Sequence, residues 1–466
     1  MRSALVTAAL AAALALIPAA PLVSRVPVQA QPAGRAGGDL GAVPLRWRVG
    51  GGNLVTHLAG AGSRQLYTAL TGIGARLGRM DSYGWRDLAR RPTPQDFEAA
   101  MREAHRNGIV PIILLEYEGS YQFLDPPQPI GSYDDWYAAG RVYAERFRPD
   151  GTFWREHGIR GFGVTVYTAI NEPDVQATIP HAAYRDALAG FADGVHSVDP
   201  ALRVVPGGFA TCNSHGDATL RGYGPAIADL LESGRLDGID LHTYYNARWF
   251  PLTRGRTVSA QGCFDRVKAA LGLRRDVAFY ATEFNVAQVE DWADPRLAAS
   301  LFLTGLWDHL GVVGADRRSS ATVLAFPWNL ADTGRIEGPA YAMAAAEDPW
   351  RPDLRAEALR LVLDLAGDMR FTALDPDRSG TYRLEGEDGM LLVWQNRPGW
   401  TDRPGRTWTV ELPGWARMAE LWGFDGLRRV VPVHGGMNEL GGLAENETYM
   451  LRLRRTEEQR EQGSRR

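Results

Sequence analysis

The sequence predicts a (β/α)₈ TIM barrel, of the α/β class, followed by a C-terminal antiparallel β-sandwich domain. Between Leu45 and Leu365, eight short apolar runs alternate with helical patterns, which is typical of a parallel barrel. After about Arg370 the apolar runs become short and alternating and are separated by turn residues, which is typical of antiparallel strands. The length of 466 residues exceeds what one core usually supports, so two domains are expected.

The N-terminal residues 1–30 predict a signal peptide. A short positive start precedes the apolar run Ala4–Ile17, which is too short to be a good bilayer span, and Val28-Gln29-Ala30 fits a cleavage site. Cleavage near Ala20 and an uncleaved membrane anchor are the alternatives. Residues 31–44 are rich in Gly, Ala and Pro and predict a linker. We therefore expect a secreted or periplasmic protein with no stable membrane insertion after cleavage.

The catalytic barrel is expected over residues 45–365. Its predicted strands lie around Gly52–Leu58, Ala75–Asp81, Val110–Tyr117, Gly163–Asn171, Arg203–Phe209, Gly238–Tyr244, Val277–Phe284 and Ala321–Trp328. Helical patterns between them include Pro94–Asn107, Asp134–Phe147, Tyr184–Val198, Tyr223–Leu231 and Arg296–Leu310. An open doubly wound sheet is the alternative, but its glycine motif fails here because Gly72 and Gly74 are followed by Gly78, one residue too far.

The β-sandwich domain is expected over residues 366–455, where runs such as MLLVWQN and TYMLRLR are bounded by Gly, Pro, Asp and Asn. The charged residues 456–466 predict a disordered tail.

Composition excludes several functions. The formal net charge of −4 gives no electrostatic footprint for nucleic acid. The single lysine, Lys268, lies in a surface-helix pattern, so a Walker motif is absent and a Schiff base is disfavoured. Export allows the two cysteines, Cys212 and Cys263, to pair between the loops after strands five and six, although two independent buried thiols fit equally well. Without clustered histidines they do not predict a metal site.

Two glutamates finish apolar strands at the end where barrel active sites lie. Glu172 follows the fourth predicted strand, and Glu283 ends the seventh. A carboxylate in such a position costs desolvation energy unless it is paired or used. On strands that face each other across the barrel mouth, the pair could flank one substrate. Glycoside hydrolysis needs this arrangement, since one carboxyl group protonates the leaving oxygen while the other attacks the anomeric carbon or activates water.

These motifs resemble clan A of the glycoside hydrolases. Asn171-Glu172-Pro173 at the end of strand four and Thr282-Glu283-Phe284 at the end of strand seven are most similar to family 39, with family 5 barrels as second choice. The resemblance implies that Glu172 is the acid/base, that Asn171 binds the sugar 2-hydroxyl, and that Glu283 is the nucleophile of a retaining reaction. A capping carboxylate and a structural ion-pair partner are the other readings of Glu172 and Glu283.

Four further residues match the same clan more loosely. The resemblance implies that Arg79 supports the nucleophile, that His242 and Tyr244 form the strand-six His-x-Tyr pair, and that Trp328 forms the floor of the sugar site. A salt bridge for Arg79, with Arg76 as a rival, and core packing for His242 and Trp328 remain open. Tyr245 competes with Tyr244, but alternate strand residues share a face, so Tyr244 accompanies His242.

Other side chains near the strand ends could bind a sugar. Glu116, at the end of strand three, is expected to bind hydroxyl groups or pair with an arginine rather than to catalyse. Aromatic residues suited to stacking on apolar sugar faces, or to ordinary core packing, are Tyr83, Trp85, Tyr117, Tyr121, Tyr245, Trp249, Trp292 and Trp328.

The sequence thus predicts a retaining β-glycoside hydrolase, β-xylosidase-like or endo-glycanase-like, acting on an oligo- or polysaccharide. We expect Glu283 to be ionised and Glu172 to carry the proton in the free enzyme. No cofactor or metal is required. A non-catalytic carbohydrate-binding barrel, which needs neither acid, and a lyase, which needs only one, are the alternatives.

Overall fold

The structure is a computed structural model of the chain. It describes residues 43–55, 61–82, 95–116, 130–176, 179–210, 222–245, 259–286, 294–317, 319–329, 343–345, 348–375, 381–397 and 404–464. The predicted signal peptide and all but the last two residues of the linker lie outside these ranges. None of the described helices has the length and apolarity needed to cross a membrane.

The barrel strands follow the order that the sequence predicts. They are β1 (Gly50–Val55), β2 (Leu77–Ser82), β3 (Val110–Leu115), β4 (Val166–Asn171), β5 (Arg203–Gly207), β6 (Gly238–Asp240), β7 (Thr243–Tyr245), β8 (Ala278–Val286) and β9 (Thr322–Pro327). The sixth barrel strand is interrupted after Asp240, so β6 and β7 are its two halves and β8 is the seventh barrel strand. Both halves pair with β8 in parallel.

Parallel pairing closes these strands into a barrel. One sheet has the order β1-β2-β3-β4-β5, and the second joins β6, β7 and β9 to β8. Two parallel bridges join the sheets, Phe209 to Leu241 after β5 and Val49 to Ala325 between β1 and β9. Because the two sheets are joined at both ends by parallel pairing, they form one closed barrel. The predicted barrel is therefore confirmed.

Helices cover the outside of the barrel. They are α1 (Ala61–Gly72), α2 (Gln95–Arg106), α3 (Tyr133–Phe147), α4 (Thr152–Glu156), α5 (Pro173–Gln176), α6 (His181–Val198), α7 (Tyr223–Ala226), α8 (Ala228–Ser233), α9 (Ala260–Ala270), α10 (Pro295–Leu310) and α11 (Leu354–Ala366). The predicted helix Tyr223–Leu231 is divided at Ile227 into α7 and α8. Helices α10 and α11 begin after Asp294 and Asp353, whose carboxylates accept hydrogen bonds from first-turn N–H groups.

A short antiparallel pair, β10 (Ala344–Ala345) and β11 (Asp348–Pro352), precedes α11. The C-terminal domain follows α11 and is also antiparallel. Its strands are β12 (Arg370–Asp375), β13 (Thr381–Gly386), β14 (Gly389–Asn396), β15 (Thr407–Leu412), β16 (Met418–Gly423), β17 (Gly426–Pro432), β18 (Gly436–Gly441) and β19 (Glu447–Arg454). Six of them form one sheet, and β15 pairs with β18 in a second. The two sheets enclose a core that includes Trp394, Trp408 and Leu451, as expected for a sandwich.

The sandwich packs on α10 of the barrel. Arg397 Nε donates to the Thr304 hydroxyl at 2.9 Å, and Gln395 donates to the Thr304 carbonyl at 3.2 Å. The ring of Trp307 stacks on that of Tyr382 with centroids 6.3 Å apart. Since α10 is buried on every side, the two domains share one continuous core.

Two expectations about local structure need correction. The tail predicted to be disordered contains helix α12 (Glu457–Ser464), which begins at a capping box in which Thr456 and Gln459 bond each other's backbone N–H groups. Gln459 also donates to the carbonyl of Trp415, so this helix packs on the sandwich. Cys263 lies inside α9 rather than in a loop, and it is disulfide-bonded. The other cysteine, Cys212, lies outside the described residues.

Candidate active site

A bulge at the end of β4 positions the first strand-end glutamate. Ala169 pairs with Pro206 and Asn171 with Gly207, so Ile170 is the extra residue, and its φ is 64°. Glu172 follows with a φ of 41°. Non-glycine residues rarely adopt positive φ, and such strain together with a bulge typically re-aims a side chain near a functional site.

The second strand-end glutamate, Glu283, receives two strong hydrogen bonds. Arg79 Nη2 lies 2.6 Å from Glu283 Oε1, and the Tyr244 hydroxyl donates to Glu283 Oε2 at 2.6 Å. Burial alone would raise the pKa of this carboxyl group, but the charges of His242 and Arg79 and the two hydrogen bonds together lower it. Glu283 is therefore held as a buried carboxylate.

Arg79 is held in place by an aspartate that none of the sequence motifs indicated. Asp81 lies two residues along β2, on the same face, and its Oδ1 accepts from Arg79 Nε at 3.0 Å. Burial lowers the pKa of Arg79, but Asp81 and Glu283 raise it well above its usual value, so the guanidinium stays charged. Its Cζ lies 5.1 Å from the centre of the Trp328 ring, a cation–π contact that fixes the indole beside the site.

His242 joins the two glutamates. Its Nδ1 lies 2.8 Å from Glu172 Oε1 and 3.6 Å from Glu283 Oε2, and the ring is fully buried. Burial lowers the pKa of this imidazole, but the negative charges of Glu283 and Glu172 and the hydrogen bond to Glu172 raise it to about 9. At neutral pH the ring therefore carries both protons and donates to Glu172.

Glu116 has a different contact from the two that the sequence suggested. Its Oε1 accepts from the backbone N–H of Asn171 at 2.9 Å, and the residue is fully buried. The contact fixes the bulged end of β4 from the neighbouring strand β3. The Asn171 Oδ1 atom lies 3.5 Å from Arg79 Nη1, so Asn171 contacts the arginine that also binds Glu283.

Direct contacts connect all eight predicted site residues, which lie within the barrel strands or just after them. They are Arg79, Glu116, Asn171, Glu172, His242, Tyr244, Glu283 and Trp328. Six of the predicted aromatic residues lie outside the described residues, namely Tyr83, Trp85, Tyr117, Tyr121, Trp249 and Trp292, and Tyr245 is described only in its backbone. Besides Asp81, no motif indicated Asp240, whose carboxylate accepts from the hydroxyl of Thr282, the first residue of the Thr282-Glu283-Phe284 motif. The i, i+2 spacing of Asp240 and His242 is the signal that could have revealed Asp240.

One oxygen or nitrogen from each of Glu172, His242 and Glu283 lies within 4.8 Å of the others, so the described residues offer one cluster with the reach of a cation site. The chemistry of the donors argues against a metal there. Both oxygens of Glu283 already accept hydrogen bonds, from Arg79 and from Tyr244, and Nδ1 of His242 is held against Glu172 at 2.8 Å. The cluster is suited instead to proton transfer and nucleophilic attack.

The position of His242 depends on Gly208, and we predict that Gly208→Ala disrupts the site. The φ of Gly208 is 96°, and an added Cβ would lie 2.0 Å from His242 Nε2. We expect a loss of roughly 1–3 kcal/mol in the free energy of unfolding together with a fall in any activity that needs His242. Denaturant unfolding and activity assays measure the two effects.

Gly272→Ala is the matched control, since Gly272 also has a positive φ, of 65°, but a Cβ there would meet nothing within 4 Å. It carries the backbone strain without the steric clash. Equal losses in the two variants would contradict the assigned contact with His242.

Comparison with known proteins supports the fold. No family model matches the sequence, and no curated protein matches it. A glucosidase from Croceicoccus marinus is similar in structure, with a TM-score of 0.58, 12% identity and coverage of 89% of this chain and 96% of its own. A GH39 β-xylosidase from Caulobacter crescentus has a TM-score of 0.56 and 14% identity, and the match covers 88% of this chain and 98% of its own. A family 51 α-L-arabinofuranosidase from Bifidobacterium longum has a TM-score of 0.52 and 14% identity, and the match covers 86% of this chain and 91% of its own. At these identities the similarity shows a shared fold over both domains.

Proposed function

We propose that this protein is a retaining glycoside hydrolase that cleaves β-linked sugars, with Glu283 as nucleophile and Glu172 as acid/base. The observation that carries the proposal is the separation of the two carboxylates. An oxygen of Glu172 lies within 4.8 Å of an oxygen of Glu283. Retaining enzymes hold these groups about 5–5.5 Å apart, whereas inverting enzymes leave roughly 6.5–9.5 Å for a water molecule.

The two glutamates also differ in their surroundings as the two roles require. Glu283 accepts from a guanidinium and a phenol, which orient it and keep it ionised. Glu172 contacts a titratable imidazole at 2.8 Å, so it can exchange a proton as the reaction proceeds. One group is thus suited to attack and the other to proton transfer.

The reaction follows in two displacements. Glu283 attacks the anomeric carbon, the glycosidic bond breaks, and the proton that His242 and Glu172 share passes from Glu172 to the departing oxygen. The product of this step is an ester between Glu283 and the sugar. Water then attacks the same carbon while Glu172 takes a proton from it, and the ester bond breaks, returning Glu283 as a carboxylate. Two inversions leave the configuration unchanged.

The substrate is proposed to be an oligo- or polysaccharide, with β-xylosidase-like and endo-glycanase-like action both open. Glycoside hydrolases among the structures that share this fold support the substrate class. We also propose that the protein is exported to an extracellular or periplasmic compartment. The disulfide at Cys263 supports this, since disulfides persist mainly in oxidising compartments.

We expect the first sugar released from a β-glycoside to be the β-anomer. Aryl β-glycosides and plant and bacterial polysaccharides would be screened for released sugar, and the best substrate followed by proton NMR from the first minutes of reaction. Accumulation of the α-anomer as the first product would overturn the mechanism. A protein that binds glycans in this screen without releasing sugar would instead be a non-catalytic carbohydrate-binding barrel.

A further inference from the structure

Asp240 is a buried carboxylate that the two displacement steps do not use. It ends β6, has no exposed surface, and lies beneath the site rather than in it. Its Oδ1 accepts from the backbone N–H of Thr282 at 3.0 Å, and its Oδ2 accepts from the Thr282 hydroxyl at 2.7 Å. Both contacts go to the residue immediately before Glu283. A buried carboxylate is costly unless it is paired, so its position next to the site calls for a physical role.

The hydroxyl of Thr282 links Asp240 to His242. It lies 3.0 Å from His242 Nε2, and Arg79 Nη1 approaches it at 3.4 Å as a further donor. A hydroxyl has one proton to give, and Asp240 accepts at both of its carboxyl oxygens. The Thr282 proton therefore points to Asp240, and the Thr282 oxygen accepts from Nε2. This direction requires a proton on Nε2 of His242 in both the charged and the neutral ring.

We propose that Asp240 is a positioning residue for the acid/base step, which acts through Thr282 to keep a proton on Nε2 of His242. The other ring nitrogen, Nδ1, then faces Glu172 with either a proton or a lone pair. One proton is shared along the line from Nδ1 to Glu172 Oε1, and Nε2–H never leaves. This inference rests on the proposed glycosidase function and assigns His242 and Asp240 their parts in it.

The proton balance is simple. When the glycosidic bond breaks, the shared proton leaves Glu172 for the departing oxygen, and His242 and Glu172 together are short of one proton. When water attacks the glycosyl ester, Glu172 removes a proton from it and the pair regains what it lost. A neutral ring with its proton on Nδ1 would instead donate to the Glu172 carboxylate, stabilise its charge and weaken it as a base.

Several charges act on the ring of His242. Glu172 and Glu283 face Nδ1, from β4 and β8, and Asp240 acts from β6. From β2, Asp81 is coupled electrostatically to the imidazole, and the Arg79 guanidinium lies on the far side of the Thr282 hydroxyl. The anions raise the pKa of His242 by more than burial and the cation lower it, and Asp240→Asn removes one of these anions. Its loss should therefore move the titration of His242 to lower pH.

The decisive variant is Asp240→Asn, because it reverses the direction of donation without changing the shape of the side chain. The Asn oxygen can still accept the Thr282 backbone N–H, but the amide then donates to the Thr282 hydroxyl. That hydroxyl must turn its proton toward Nε2, which forces the neutral His242 ring to carry its proton on Nδ1. In a serine protease triad, the Asp→Asn change that produces the wrong tautomer costs about 10⁴-fold in kcat.

The first measurement needs no substrate. Histidine ring nitrogens of the full chain are labelled with ¹⁵N, the His242 signals are assigned by their loss in His242→Gln, and spectra are recorded across the alkaline range up to about pH 10.5, where the ring is neutral. The wild type should keep Nε2–H and Asp240→Asn should show Nδ1–H, with its titration midpoint at lower pH. Equal tautomers and equal midpoints in the two proteins would overturn the proposal.

The second measurement is kinetic. On a β-glycoside with a poor leaving group, Asp240→Asn should lower kcat/KM by roughly 10²-fold or more, and the alkaline limb of its pH profile should move to lower pH. Thr282→Val should act in the same direction, whereas Thr282→Ser, which keeps the hydroxyl, should recover Nε2–H. An Asp240→Asn protein that is less stable but has the wild-type pH profile would reduce Asp240 to a purely structural residue.

Asp237→Asn is the matched control. Asp237 precedes the same strand at its other end, where it accepts from the backbone N–H of Val204 at 2.8 Å. Its loss should lower stability without changing the His242 tautomer. The two measurements separate two failures. A wild type that hydrolyses no glycoside would contradict the proposed function. A wild type that hydrolyses with retention, together with an Asp240→Asn variant whose His242 tautomer is unchanged, would contradict only the positioning role of Asp240.

Discussion

Glu283→Ala is expected to lower kcat/KM by at least about 10⁴-fold on every β-glycoside, whether its leaving group is good or poor. The first displacement needs a carboxylate on the far side of the anomeric carbon, and Glu283 is the carboxylate that Arg79 and Tyr244 hold for it. A good leaving group cannot compensate, because bond formation to the enzyme is lost rather than proton transfer. Initial rates on a series of aryl β-glycosides measure the effect.

Rescue by a small anion identifies the missing step. Azide should enter the space left by the side chain and yield the α-glycosyl azide, since a single displacement inverts the configuration. Glu283→Gln is the matched control, because it preserves the volume but leaves no room for azide and should stay inactive. A Glu283→Ala protein that hydrolyses activated substrates at near wild-type rates would remove Glu283 from the nucleophile's role.

The sequence predicted the architecture because both of its signals are local. Eight apolar runs alternating with helices can form a closed parallel barrel. Acidic residues that follow its strands, such as Glu172 and Glu283, then lie at the same C-terminal end of the barrel, whatever the conformation of the loops. Alternation within a strand also predicted that His242 and Tyr244 point the same way, and both reach the glutamates. These inferences need only the period of a strand and the direction of the chain.

What the sequence could not supply depends on register and on contacts between distant strands. The bulge at Ile170 appears only when β4 is paired with β5, and it is this bulge that orients Glu172. The contact of Glu116 with the backbone of Asn171 joins two strands and leaves no mark in either motif. The capping box that begins α12 was present in the sequence as Thr456 and Gln459, but the charged composition of the tail obscured it.

Glu172→Ala should show a loss that depends on the leaving group. On substrates with poor leaving groups, kcat/KM should fall by about 10²–10⁴-fold, because the departing alkoxide no longer receives a proton. On dinitrophenyl glycosides, which leave readily without protonation, the first displacement should be nearly as fast as in the wild type. The glycosyl-enzyme should then accumulate, since no base remains to activate water, and a burst of dinitrophenol followed by a slow steady state measures this.

The response to azide distinguishes the role of Glu172 from those of Glu283 and Glu116. In Glu172→Ala, azide needs no base, so it should accelerate the slow second step and give the β-glycosyl azide, the opposite anomer from that of the nucleophile variant. Glu116→Gln is the matched control: it keeps an oxygen to accept from Asn171, whose N–H lies 2.9 Å away in the wild type, and should show neither burst nor azide rescue. A Glu172→Ala protein whose rate loss is equal for good and poor leaving groups would contradict the acid/base role, because only proton donation couples that loss to the basicity of the departing oxygen.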